Sequence, residues 1–151
     1  MYEQLSPTDD LATYQNKLVE TLLREMAFAI QKTLNQPDEA NIHDLRRVCL
    51  RLRHALRLFA KILPRQPTKR IQQRLRTLQR MLAAVRSYDV ALQTLKLDAI
   101  ASLGPANAWK ALSSGMAVDR RRSLRPLRMR LRKMQRSDAL QRWRTRLSAT
   151  G

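Results

Sequence analysis

Residues 41–59 read NIHDLRRVCLRLRHALRLF. Wound as a helix at about 100° per residue, this stretch puts Leu45, Val48, Cys49, Leu52, Ala55, Leu56 and Phe59 on one face, and Ile62 just beyond it continues the stripe. His43, Arg46, Arg47, His54, Arg57 and Lys61 fall opposite. One face builds a core and the other presents positive charge. A solvated face ordinarily mixes both signs, yet Asp44 is the only acid within the segment. The charge is gathered where an anion could lie.

The rest of the chain extends this asymmetry. Thirty Lys and Arg against twelve Asp and Glu give a formal charge of +18, more than solubility of a small domain requires. Residues 1–40 carry three bases and seven acids, whereas residues 41–151 carry 27 bases and five acids. A polyanionic partner is expected, held by the later helices. With 44% apolar residues in 151, the sequence can bury one core, and 1–151 reads as a single domain. Cys49 is the only cysteine, which suits a reducing compartment and excludes an intramolecular disulfide. The start MYEQLSPTDD lacks a basic, apolar leader, and no run of about 18 apolar residues occurs, so a cytoplasmic location is expected.

Three glycines leave little material for hairpins, and the apolar periods are helical throughout, so the chain reads as all-α. Ser6-Pro7-Thr8-Asp9-Asp10 opens a first helix to about residue 34, with a stripe of Leu11, Tyr14, Leu18, Leu22, Met26 and Ala29. Pro37-Asp38-Glu39 repeats the start signal, and a second helix is expected over 38–63, with Pro64 and Pro67 bracketing a short loop. Ile71, Leu75, Leu78, Leu82, Val85 and Leu92 mark a third helix over 68–102, closed by Leu103-Gly104-Pro105. Residues 106–112 suggest a short helix and Ser113-Ser114-Gly115 a break. A long helix is then expected over 116–136, kinked at Pro126, with Leu124, Leu127, Leu131 and Met134 on one face. Ser137-Asp138 reads as the cap of a last short helix bearing Leu140, Trp143 and Leu147. Short connections between long helices imply an antiparallel bundle of about four long helices.

Catalytic groupings are missing from this pattern. Two histidines, one cysteine and five acids beyond residue 40 give no nucleophile and base pair, no metal-ligand spacing and no Gly-rich phosphate loop, so neither an enzyme nor a cofactor or metal site is expected. His43 and His54 lie three turns apart, too far to share a metal ion. A histidine on a basic face is ordinarily solvated or locally hydrogen-bonded, and these two read as anion contacts or as capping and orienting groups. Asp89 falls inside an apolar stripe, where a lone carboxylate is costly, so it needs a partner, and Arg46 or Arg53 is the expectation. Met26, Met81, Met134 and Cys49 lie on apolar stripes and read as core.

The segment PDEANIHDLRRVCLRLRHALRLF resembles the opening of a CHAD domain, the conserved histidine α-helical domain. The likeness is carried by the acidic lead-in Pro37-Asp38-Glu39, then His43, Arg46, Arg51, Leu52, Arg53, Leu56 and Phe59. Arg47 stands where the family usually has a small apolar residue, and Leu50 where it usually has an arginine. Residues 82–90, LAAVRSYDV, are similar to a second family element on the third helix. There Arg86, Asp89 and Val90 match, while Ala83 replaces a glycine and Ser87 an aspartate.

The resemblance implies non-catalytic binding of inorganic polyphosphate along a basic surface, often at polyphosphate granules. On this chain the resemblance implies His43, Arg46, Arg51 and Arg53 of the second helix and Arg86 of the third, and the charged faces add Arg47, His54, Arg57, Lys61, Arg74, Arg125, Arg128 and Arg132 to the expected surface, with Asp89 as an orienting acid. Polyphosphate has no bases to stack, which agrees with an aromatic content of 5%. The alternative is a basic helical protein binding nucleic acid without reading sequence, and such binding is expected at low salt in any case. A further alternative is an adaptor that tethers other proteins or granules. The family's usual domain resembles two such bundles with the anion between them, so a homodimer is expected to rebuild the missing half, with residues near Trp109 and Trp143 at its interface.

Overall fold

The computed structural model describes residues 10–102 and 106–148. Five helices follow in order: α1 (Leu11–Asn35), α2 (Glu39–Leu58), α3 (Arg65–Ser102), α4 (Ala106–Arg136) and α5 (Ala139–Leu147). No strand occurs among the described residues. Four long helices and a short fifth make the expected all-α bundle.

Local chemistry sets each boundary. Asp10 and Asp38 sit in extended backbone and accept hydrogen bonds from the amides of Thr13 (2.7 Å) and Asn41 (2.9 Å), satisfying donors that a helix start leaves open. Asn41 then ties the α1–α2 turn by donating from Nδ2 to the Gln36 carbonyl at 2.7 Å. The expected cap at residues 6–9 lies outside the described residues, as does the Leu103-Gly104-Pro105 connection.

Four expectations need correction. Helix α2 stops at Leu58, not near Leu63, because residues 59–63 tighten into turns where Ile62 and Leu63 donate to the Phe59 carbonyl; Pro64 disfavours helical backbone just before it. Pro67 is not in a loop but in the first turn of α3, where a missing N–H costs nothing. Helix α4 runs unbroken through Ser113, Ser114 and Gly115, where a break was expected. Antiparallel packing on α3 outweighs the cost of one helical glycine, about 1 kcal/mol. Asp138 takes left-handed backbone (φ 51°) ahead of α5 and makes no side-chain cap.

Core residues come from all five helices. Met26, Leu45, Cys49, Leu52, Leu56, Leu75, Leu82, Val85, Leu127 and Leu131 are fully buried, and Trp143 and Leu147 of α5 plug one end. Trp143 therefore belongs to the intramolecular core, not to the interface between copies at which it is expected from the sequence. Leu11 and Tyr14 in the first turn of α1 and Ile62 in the turns after α2, expected on apolar stripes, are exposed. The acids of α1 serve the bundle: Glu20 pairs with Arg144 of α5 at 2.8 Å, and Glu25 with Arg51 of α2 at 3.5 Å. No helix among the described residues is long and apolar enough to cross a membrane.

Burial pushes the Cys49 thiol up to about 12, so the nucleophilic thiolate is absent from the folded chain. Its reaction with an aromatic disulfide reagent is expected to slow at least about a thousandfold relative to the chain in urea, tracking global unfolding. Rapid labelling under native conditions would show that the α2 core opens locally.

Candidate functional site

Helix α3 packs against α2 on one side and α4 on the other. The groove between α2 and α3 collects residues of both motifs, His43 and Arg46 from the first and Arg86 and Val90 from the second. At its upper end a cleft of about 690 Å³ is lined by His43 and Arg86, but also by Asp38, Glu39 and Asp89. Three carboxylates make this larger cleft a poor seat for an anion. Its neighbour along the groove, about 410 Å³, is lined by Arg46, Ala83, Arg86, Ser87, Val90 and Ala91. That lining holds two guanidiniums, no carboxylate and no aromatic ring.

Further down the groove the cations crowd. Arg53 donates from its guanidinium to Gln79 Oε1, and Gln72 donates to the Arg53 carbonyl at 3.0 Å. Partial burial, then the adjacent Arg76 and Arg57, hold the Arg53 pKa below its ordinary value. Its Nε is buried without a partner. Among the described residues no carboxylate pairs with Arg46, Arg53, Arg57, Arg76 or Arg86. Like charges set together without acids are a cost of the empty fold, and a bound polyanion would remove it. From Arg46 to Arg57 the row runs about 17 Å along the helix axis at 1.5 Å per residue.

The other expected contacts divide in two. Arg47 and His54 stand exposed on the outer crown of α2 beside this row, with Leu50, 42% exposed, between them, and Lys61 is exposed in the turns that follow the helix. Arg51 instead faces α1 through its contact with Glu25. Arg74 lies about 120° around α3 from Arg86, on the side away from α2. Arg125 and Arg132 are exposed on α4, and Arg128 is half-buried there with an unpartnered Nε. Arg132 shares a separate cleft of about 540 Å³ with Met129, Lys133, Arg136 and Ser137. Because α2 and α4 flank α3 without packing on each other, the single surface expected from three helices is two patches.

Asp89 is 8% exposed, but its partner is neither Arg46 nor Arg53. Arg120 of α4 donates from Nε to Asp89 Oδ1 at 2.6 Å and from a terminal nitrogen to the Pro37 carbonyl at 2.8 Å. The pair clamps α3 and α4 to the turn just before α2. Arg120 and Arg76 are the two functional residues the sequence reading missed. Among the described residues, no group of three or more His, Cys, Asp or Glu is placed to hold a metal ion.

Comparison with models of known protein families matches the CHAD domain over residues 17–151. No curated protein and no solved structure matches the chain.

Proposed function

This chain belongs to the CHAD domain family, and from that premise we propose that it binds inorganic polyphosphate, without turning it over, along the α2–α3 groove. The family is linked to polyphosphate binding. The observation that carries the reading is the row of Arg46, Arg86, Arg53, Arg57 and Arg76, none of which pairs with a carboxylate among the described residues, together with the ring-free lining of the cleft that Arg46 and Arg86 share. Guanidiniums suit phosphate oxygens because each presents several N–H donors in a planar fork. His43 stands at the acidic end of the groove and would mark where the chain of phosphates turns away. The exposed α4 patch extends the cationic field and steers the ligand, without forming part of the same groove. A protein of this charge would sit at polyphosphate granules in the cell, and two copies would associate there.

Nucleic acid is the second reading, and the absence of rings in the groove disfavours single strands, whose binders stack bases on aromatic platforms. Competition decides between them. Labelled long-chain polyphosphate is held at about physiological salt and displaced by unlabelled polyphosphate, duplex DNA or single-stranded RNA at equal phosphate concentration. Polyphosphate is expected to compete at least about tenfold better, since low-salt attraction to any polyanion is screened at that ionic strength. Equal competition would assign the groove to nucleic acid.

A further inference from the structure

Helix α3 has 38 residues and α4 has 31, against 20 for α2. The excess projects from one end of the bundle. Glu39, the first residue of α2, accepts a hydrogen bond from Gln93 at 2.8 Å, so the cover that α2 gives α3 ends there. On α4 the same level is marked by Arg120, which reaches the Pro37 carbonyl. Beyond these two points α3 and α4 continue as a two-helix arm with neither α1 nor α2 beside it. Between Asp89 and Leu124 none of the described side chains is buried. Val90, Leu97, Leu112 and Val118 are 47%, 68%, 54% and 40% exposed, and Trp109 is half-buried. In the body, the corresponding stripe of Leu75, Leu78, Leu82 and Val85 is fully covered.

Charge identifies what covers the arm. Residues 90–119 contain Lys96, Lys110, Asp98 and Asp119 and no other charged residue, so the arm is neutral in a chain of net charge +18. Two copies of a strongly cationic molecule repel wherever their basic faces meet, and the arm is where they can approach without that cost. A polyanion or an acidic protein would seat on the basic faces, not here. We propose that the arm is a homodimer surface: two copies pack arm on arm about a two-fold axis, completing a four-helix layer in which each arm supplies the cover that α1 and α2 give the body. A patch of equal positive and negative count can meet its own copy across a two-fold axis without net repulsion. The inference deepens the reading that two copies associate, and it concerns the ligand-free chain, so it stands or falls separately from polyphosphate binding.

The test is sedimentation equilibrium of the full chain at micromolar concentration without polyphosphate, in low and in about 0.5 M salt. The expected mass is twice 17.6 kDa, with tighter association at the higher salt as residual repulsion is screened. Leu97→Glu and Leu112→Glu change exposed positions, so helicity by circular dichroism should be unchanged while the dimer Kd rises at least about 100-fold. Leu58→Glu, at an equally exposed leucine on α2, should leave the dimer intact. A monomeric wild-type chain would overturn the proposal. So would a dimer that survives both arm substitutions, or one that Leu58→Glu dissolves as readily.

Discussion

Reversing the charge at Arg46 is expected to raise the Kd for long-chain polyphosphate roughly 100-fold at about physiological salt, whereas Arg132→Glu changes it less than about fivefold. The difference follows from where the two arginines stand. Arg46 shares a carboxylate-free cleft with Arg86 and heads the row that continues to Arg53, Arg57 and Arg76. A glutamate there loses charge-assisted hydrogen bonds and sets a carboxylate against the phosphates within a few ångströms, where screening is weak. Arg132 lies on the exposed α4 patch, where its effect on the ligand is mainly long-range and screened by salt. Leu50 gives the opposite arm of the same experiment. Its neighbours one helical turn away on α2 are Arg46, Arg47, Arg53 and His54, so Leu50→Arg fills the gap in the cationic row and should tighten binding a few-fold. Filter binding or fluorescence anisotropy with unchanged circular dichroism reads all three variants. Equal losses for Arg46→Glu and Arg132→Glu would mean that net charge alone attracts the ligand and that the groove has no special role.

The two-faced helix was legible because burial writes a period of about 3.6 into sequence, and α2 has that period over its whole length. Cross-helix partners leave no such period. They follow from antiparallel register, which the helix ends determine. Contacts between α2 and α3 reflect about a point near residue 66: Glu39 meets Gln93 and Arg53 meets Gln79, while Arg46 and Arg86 line one cleft. Reflection about the connection at 103–105 likewise sends Asp89 to Arg120, the partner the structure supplies. Arg46 and Arg53 were expected to hold Asp89 because they belong to the stronger motif, yet the register places His43, not either arginine, beside that aspartate. The α4 patch was misjoined for a related reason. Periodicity says which face of a helix is exposed, but not which neighbour shares that exposure. The unbroken course of α4 through Ser113-Ser114-Gly115 shows the converse, a local stop signal overridden by the helix packed beside it.

Removing Arg120 while leaving Asp89 in place should be strongly destabilising. Asp89 and Arg120 are 8% and 18% exposed, and the same guanidinium also satisfies the Pro37 carbonyl. Arg120→Met therefore strands a nearly buried carboxylate and a backbone acceptor together. Losing one partner of a buried pair costs about 3–5 kcal/mol, and the partial exposure of Arg120 places this case near the lower figure. For a chain of this size about 3 kcal/mol corresponds to a melting temperature lower by roughly 10 °C. The double variant Arg120→Met with Asp89→Leu should recover most of that loss, because well-packed apolar side chains can replace a buried ion pair at little cost. Scanning calorimetry of the single and double variants checks both. The clamp also holds Pro37 in the turn from which α2 starts, six residues before His43, so Arg120→Met should weaken polyphosphate binding as well, by less than about tenfold, through the position of α2 and not through loss of a phosphate contact. If the double variant regains stability and affinity together, Asp89 and Arg120 act on the groove only by holding α2 in place. If stability returns and affinity does not, Arg120 touches the ligand itself, and the groove extends past Arg86 onto α4.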